Sequence, residues 1–242
     1  MQAIHFDHQA NLADLLQVDR GITALVGGGG KTTLLYALAS ALSLRGRVIV
    51  TTSTHIFPPE HLPILSDPSD EAISKALAQN PILCIGTSDG RGKLTASIRP
   101  PRELLSFCDY VLVEADGAKR LPLKAPASHE PVLPDGTDHV IAVAGLDGIG
   151  KTIQQTVFRP ELFAALVQKH INAIVSPQDV ACVLQHSMGQ RKIVSDSMRF
   201  SVVLNKADTP ALHALGETVA RDLDESLVSV VLIAALGKKL YA

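Results

Sequence analysis

The stretch that most constrains the fold is residues 22–44, which read ITALVGGGGKTTLLYALASALSL. A short apolar run enters four consecutive glycines, and Lys31, Thr32 and Thr33 then open an Ala- and Leu-rich segment with helical spacing. Glycines let successive backbone N–H groups converge because no Cβ intervenes, and the first turn of a helix leaves more N–H groups unpaired. Both features favour a bound anion, so the stretch predicts a strand, a phosphate-binding turn and a helix.

We interpret this turn as a nucleotide site. Lys31 is predicted to reach the outer phosphates, and the Thr32 hydroxyl to help hold Mg²⁺. The predicted phosphate-binding residues are Gly27, Gly28, Gly29, Gly30, Lys31, Thr32 and Thr33. Their spacing, G-x-x-G-K-T-T, is shorter than the usual G-x-x-x-x-G-K-[ST], and it resembles the loop of Mur-type ligases more than that of Ras-type proteins.

A second glycine-rich stretch, residues 145–152, satisfies the full pattern as GLDGIGKT. The segment after it, TIQQTVFR, is rich in β-branched residues and meets Pro160, so it predicts only a short, weak helix. We therefore place the nucleotide at the first loop and interpret residues 145–151 as a functional or structural turn.

Apolar strands alternate with helical segments along the chain, which predicts an α/β fold with a three-layer, mainly parallel sheet of the P-loop NTPase type. We expect a single domain of residues 1–242, with a small excursion at about 56–108. A helix is predicted at 8–19, and the strand at 227–234 is expected to close the sheet. Parallel strands place their carboxyl ends at one edge, where ligands bind. Five candidate loops fall there: 27–33, 51–55, 114–120, 145–151 and 205–208.

Glu114 and Asp116 end the apolar segment DYVLVEAD, two residues apart and on the same face of a strand. Mg²⁺ prefers oxygen ligands and keeps several waters, so one of these carboxylates with Thr32 would suffice to hold it. The other would orient an attacking water, which makes Lys31, Glu114 and Asp116 the predicted catalytic residues. An ordinary acidic strand end is the alternative.

Asn205, Lys206 and Asp208 form N-K-A-D, which matches the guanine-reading motif N-K-x-D of GTPases. An Asp carboxylate can accept hydrogen bonds from both the ring N–H and the exocyclic amine of guanine, a pattern that adenine lacks. The motif therefore predicts GTP over ATP. The alternative is that Asp208 caps the helix that follows.

Hydroxyl and basic side chains in two other loops are candidates for a second, anionic substrate. They are Thr52, Thr54, His55, Lys119, Arg120 and Lys124. A solvated surface loop is the alternative for the basic residues.

Composition excludes several functions. A net charge of −2 argues against nucleic acid as a partner, and no apolar run is long enough to span a bilayer. Three distant cysteines predict no disulfide framework, and nine histidines show no metal-ligand spacing. The first residues do not resemble a signal peptide, so we expect a cytoplasmic protein.

Five segments together resemble the YqeC-type selenium-dependent hydroxylase accessory proteins. They are VGGGGKTT, TTSTHI, VEADGAKRLPLKAPASHEPV, GLDGIGK and LNKAD, and the resemblance spans roughly residues 27–208. It implies a phosphate-loop nucleotide-binding protein tied to maturation of selenium-dependent molybdenum hydroxylases, with a protein partner.

Our leading hypothesis is a Mg²⁺-dependent nucleoside triphosphatase, using GTP or ATP with GTP preferred, that drives a maturation step. Two alternatives stay open. One is a Mur-like ATP-dependent ligase or a kinase that acts on a small acidic substrate. The other is a non-catalytic, nucleotide-gated assembly chaperone.

Overall fold

The structure is a computed structural model that describes residues 1–6 and 11–237. Within these residues the strands are β1 (Ile4–His5), β2 (Gly21–Gly27), β3 (Val48–Thr52), β4 (Ile64–Leu65), β5 (Ile82–Ile85), β6 (Thr87–Ser88), β7 (Leu94–Thr95), β8 (Tyr110–Glu114), β9 (Leu123–Lys124), β10 (Thr137–Gly145), β11 (Val157–Phe158), β12 (Arg199–Asn205) and β13 (Val230–Ile233). The helices are α1 (Leu12–Leu15), α2 (Lys31–Ser43), α3 (Asp70–Gln79), α4 (Pro101–Leu104), α5 (Ile153–Thr156), α6 (Pro160–Leu166), α7 (Pro177–Gln185) and α8 (Pro210–Arg221).

Nine strands form one sheet in the order β1-β13-β12-β10-β2-β8-β3-β5-β4. Every pairing within it is parallel. Strand β2 lies at the centre, between β10 and β8, so the glycine-rich turn that follows it emerges in the middle of the sheet's carboxyl edge. The remaining strands form two small pairs, β9 with β11 and β6 with β7.

The sheet is covered on both faces because its strands are apolar on both sides. Along β2, Leu25 packs with α1 and α2, whereas Ala24 and Val26 pack on the opposite face with α6, α7 and α8. Helices α3 and α4 cover the rest of that second face, next to β3, β5 and β8. The predicted three-layer parallel α/β fold is confirmed.

The edges of the sheet differ from the prediction. The strand at 227–234 does not close the sheet, because β1 pairs with β13 and lies outside it. Strand β4 lies at the other edge, in a segment that the prolines had marked as irregular. Two-residue strands carry no periodic pattern, so the sequence gives no signal for them.

Two further segments bear on the prediction. Helix α1 is a single turn capped by Asn11, shorter than the predicted helix at 8–19, and residues 8–10 lie outside the described residues. Within 56–108, β4 and β5 extend the main sheet while β6 and β7 form a separate hairpin.

Candidate functional site

The phosphate-loop candidate connects β2 to α2 at the centre of the sheet. Its glycines are required by both backbone conformation and space. Gly27, Gly29 and Gly30 have φ of 94°, 79° and 121°, a region that other residues rarely adopt. A Cβ on Gly29 would lie 2.2 Å from the backbone nitrogen of Gly145, so the two glycine-rich loops are packed backbone against backbone. The stretch 145–151 therefore supports the first loop from the side.

The chain's own acceptors take up part of the predicted anion nest. The N–H of Gly27 donates to Asp116 Oδ2 at 3.0 Å, that of Gly28 to Val143 O at 2.8 Å, and that of Gly29 to Leu121 O at 3.1 Å. Among the described residues, no acceptor pairs with the N–H groups of residues 30–33. The groups available to an anion are thus concentrated at the start of α2.

Lys31 is buried and lies among the oxygens that surround the loop. Its Nζ donates to Gly27 O at 2.6 Å and lies 3.1 Å from Asp116 Oδ1 and 3.9 Å from Glu114 Oε1. An ammonium group is stable in a buried position only when anions or carbonyls compensate its charge. Lys31 is therefore held beside Glu114 and Asp116, the two carboxylates that were predicted to share its site.

Thr32 and Glu114 form the second half of the site. The Thr32 hydroxyl donates to Glu114 Oε2 at 2.8 Å. Burial raises the pKa of Glu114, with a further contribution from Asp116, and the positive charge of Lys31 only partly opposes it. A carboxylate whose charge is costly gains most from a nearby cation. The pair offers only oxygen ligands, which is the donor set that Mg²⁺ prefers.

Asp116 begins a buried ladder of alternating charges beneath the loop. Its Oδ2 lies 2.8 Å from Lys124 Nζ, which in turn lies 2.9 Å from Glu130 Oε2. Glu130 also accepts two hydrogen bonds from the guanidinium of Arg159, one of them 3.0 Å long. Burial alone disfavours ionised Glu130, but the hydrogen bonds from Arg159 and Lys124 outweigh this cost and lower its pKa to about 2.

This ladder explains why Lys124 is not exposed to a second substrate. Its side chain is fully buried, and it donates to Gly117 O as well as pairing with the two carboxylates. The sequence placed Glu130 in the charged loop beside the two carboxylates, but neither Glu130 nor Arg159 was predicted to have a role in the site. Their only signal was an acid within a basic loop and an Arg before Pro160, and only the pairing of β9 with β11 brings the two segments together.

Asn205 connects the glycine-rich loop at residues 27–30 to the segment after β13. Its Nδ2 donates to Gly29 O at 2.8 Å, and its Oδ1 accepts from the N–H of Leu236 at 2.9 Å. Lys206 pairs with Asp147, in the second glycine-rich loop, at 2.9 Å. Asp208 is exposed, and within 1–6 and 11–237 it has no hydrogen-bond or ion-pair partner. It does not cap α8, because the Thr209 side chain does so.

Of the remaining candidates, Thr52 contacts Glu114, whereas His55, Lys119 and Arg120 are exposed. Thr52 Oγ1 donates to Glu114 O at 2.9 Å and accepts from the N–H of Thr54 at 3.0 Å, while His55 is exposed. Lys119 and Arg120 have φ of 47° and 64°, and both side chains are exposed. Such a conformation costs non-glycine residues about 1–2 kcal/mol each. The turn thus holds two cations outward at a conformational cost.

Fold and site together define an α/β protein with a central glycine-rich strand–turn–helix unit, at which a lysine, a threonine and two carboxylates converge. Residues 23–161 match the family model described as YqeC protein. The chain is also 33% identical to the protein YqeC of Escherichia coli (strain K12) over 193 residues. This aligned region covers 76% of this chain and 75% of that protein. The chain belongs to the YqeC family. None of the helices in its described part is long and apolar enough to cross a membrane.

Proposed function

We propose that this protein is a Mg²⁺-dependent nucleotide-binding protein and a nucleoside triphosphatase. The observation that carries the proposal is the contact between Thr32 Oγ1 and Glu114 Oε2, 2.8 Å long, beside the unpaired N–H groups at the start of α2. A helix N-terminus with a buried lysine next to it favours phosphate, and two oxygen ligands at the same place favour its magnesium ion.

Each residue has a distinct task in this proposal. The N–H groups of residues 30–33 and the Lys31 ammonium bind phosphate oxygens. Thr32 and Glu114 hold Mg²⁺, which when bound neutralises phosphate charge. Asp116 holds Lys31 and the loop in position and does not coordinate Mg²⁺, because Gly27 N–H, Lys31 and Lys124 already surround its carboxylate.

The proposed preference for GTP rests on Asp208. Asn205 is hydrogen-bonded to Gly29 and Lys206 is paired with Asp147, so in this proposal the two residues form the wall of a base pocket. Asp208 is left exposed as a double acceptor for guanine. The segment after β13 contacts the same motif, because Leu236 N–H donates to Asn205 and Ala234 O accepts from the N–H of Ala207.

The proposed biological role is that of an accessory factor in maturation of a selenium-dependent molybdenum hydroxylase, with a protein partner. Its support is the resemblance of the sequence to the accessory proteins of that pathway. Nucleotide turnover would drive the maturation step.

A ligase or kinase is the second candidate, and the strained turn at Lys119 and Arg120 favours it. The ring of Phe57 lies 5.2 Å from the guanidinium of Arg120 and 4.9 Å from Lys93 Nζ. Among the described residues Arg120 has no acidic partner, whereas Lys93 interacts electrostatically with Asp89. An uncompensated Arg120 on this ring would suit an anionic acceptor, and Thr52, Thr54 and His55 precede Phe57 closely in the chain.

Calorimetric titration of the purified protein with GTP, GDP and ATP, each with and without MgCl₂, tests the proposal. We expect Mg²⁺-strengthened binding with guanine preferred, and loss of binding in Lys31→Ala. Lys75→Ala is the matched control, because Lys75 is exposed on α3 and distant from the loop in sequence. Equal nucleotide affinity in Lys31→Ala and Lys75→Ala would refute the assignment.

Turnover measurements then separate the three functions. Phosphate release without an added acceptor supports a nucleoside triphosphatase. Turnover only with an added small acidic acceptor supports a ligase or kinase. Tight binding with no turnover, even with the partner hydroxylase present, supports a nucleotide-gated chaperone.

A further inference from the structure

Three metal-ligating side chains meet at the outer edge of the sheet, four strands away from β2. His5 comes from β1, and His213 and Glu217 come from α8. One ligand atom from each residue lies within 4.8 Å of one from each of the others. No local sequence pattern indicates this cluster, because His5 is separated from His213 by 208 positions.

The three side chains lie close enough together for their ligand atoms to reach a single ion. His5 Nδ1 and His213 Nε2 are 2.8 Å apart, and Glu217 Oε1 lies 3.7 Å from His5 Nε2 and 3.9 Å from His213 Nδ1. Two nitrogens on one tetrahedral zinc ion lie roughly 3.3 Å apart, since each bond is about 2.0–2.1 Å long. The facing nitrogens therefore need to separate by roughly half an ångström. Glu217 lies nearest the other nitrogen of each ring, so the side chains must also reorient before all three reach one ion.

The local structure explains why these residues meet. His213 and Glu217 are four residues apart on α8, which places them on one face of the helix. His5 is brought to that face by the parallel pairing of β1 with β13, in which it lies opposite Ile233. Two elements from opposite ends of the chain thus supply the three groups.

The side chains have the freedom to reorient. The two rings are stacked, with centroids 4.6 Å apart and planes at 23°, so each must turn to direct a lone pair at a shared ion. The side chains of His5 and His213 are 50% and 39% exposed, and that of Glu217 is 52% exposed. Solvent-exposed rings turn on the picosecond-to-nanosecond timescale.

We propose that His5, His213 and Glu217 form a binding site for a divalent transition-metal ion, with Zn²⁺ as the best match and water completing the coordination. Imidazole nitrogens with one carboxylate are the ligands that zinc uses in open sites. The ion replaces the hydrogen bond between the imidazoles and cross-links β1 to α8. Strand β1 has two residues and one neighbour, so it gains most from such a link.

Calorimetric titration of the full-length protein with ZnCl₂, prepared without a polyhistidine tag, tests the proposal. We expect one equivalent to bind, and affinity to fall in His213→Ala by more than the 10–100-fold that loss of an outer-shell partner costs. His61→Ala is the matched control, because His61 also lies 3.9 Å from a carboxylate, that of Glu60, on an exposed surface. Glu217→Gln provides a second, nearly isosteric variant should His213→Ala fail to fold.

Hydrogen exchange gives an independent readout. Zn²⁺ should slow exchange of the Phe6 N–H, which donates to Ile233 O, in the wild type but not in Glu217→Gln. Unchanged affinity in His213→Ala and Glu217→Gln, an equal loss in His61→Ala, or no zinc binding by the wild type would each overturn the site. None of these substitutions touches the phosphate loop, so the outcome is separate from that of the nucleotide experiment.

Discussion

Lys124 Nζ lies 2.8 Å from Asp116 Oδ2, and neither side chain is exposed to solvent. Since Asp116 also accepts from the N–H of Gly27, it links Lys124 to the glycine-rich loop that follows β2. Removing Lys124 leaves Asp116 paired with Lys31 and Glu130 paired with Arg159, but both buried carboxylates lose the cation that they share. We expect Lys124→Met to lower the free energy of unfolding at pH 7 by about 3–5 kcal/mol in urea titrations. Lys75→Met, on the exposed face of α3, should stay within about 0.5 kcal/mol of wild type.

The charge of Glu130 should make part of the free energy of unfolding depend on pH in the acid range. Its pKa is about 2 in the folded protein, because hydrogen bonds from Arg159 and Lys124 outweigh the cost of burial, and about 4.5 when unfolded. A lowered carboxyl pKa stabilises the fold above pH 4.5, and this contribution is lost as the pH falls towards 2. Glu130→Gln should therefore cost about 1–2 kcal/mol at pH 7, because solvent screens part of the interaction at this partly exposed group, and much less near pH 2. An equal loss at both pH values in urea titrations would contradict the assigned charge pairing.

His139 makes the stability of the fold depend on pH in a higher range than Glu130 does. Burial, aided by the charge of Arg199, lowers its pKa from 6.5 to about 4, and its Nε2 is hydrogen-bonded to Ser201 Oγ at 2.8 Å. The unfolded chain binds the proton more readily, so stability falls as the pH drops from 6.5 to 4, by up to about 3 kcal/mol. His139→Asn should flatten the unfolding free energy over this range, whereas exposed His61→Asn should leave the slope intact.

Alanine substitutions at Gly29 and Gly150 separate the cost of backbone strain from the cost of disrupted packing. Their φ values, 79° and 84°, are similar, but a Cβ would lie 2.2 Å from Gly145 N at Gly29 and meet nothing within 4 Å at Gly150. Gly150→Ala should cost about 1–2 kcal/mol from conformation alone. Gly29→Ala should cost a further 1–3 kcal/mol and weaken nucleotide binding, because the loops must move apart. Equal melting temperatures for the two variants would show that the glycine loops are not packed together.

Substitutions at Asn205 and Asp208 should affect different properties, the first the stability of the fold and the second the affinity for GTP. Asn205→Ala removes hydrogen bonds to Gly29 O and Leu236 N at a buried position, so we expect a loss of about 1–3 kcal/mol in stability. Asp208→Ala should leave the melting temperature unchanged and weaken GTP binding about tenfold or more, without affecting ATP. Retained guanine preference in Asp208→Ala, measured by calorimetry, would remove the base-reading role.

Local pattern was sufficient to predict the centre of the site. Glycines before Lys31 and acids at the end of an apolar strand place Thr32, Glu114 and Asp116 at one edge of any parallel sheet, because carboxyl ends of parallel strands share that edge. The alternation of apolar strands and helices likewise predicted three layers. These features are determined by the sequence itself, since each depends on residues fewer than ten positions apart or on the period of one element.

Tertiary structure alone decided which polar groups meet across the chain. Lys124 stands in a basic loop that reads as exposed, yet the pairing of β9 with β11 buries it between Asp116 and Glu130. The occupation of the N–H groups of the first three glycines by Asp116, Val143 and Leu121 has the same origin. The contact of His5 with His213 is also a product of the tertiary structure. Such contacts depend on where the fold places two residues in space, and their separation along the sequence does not reveal them.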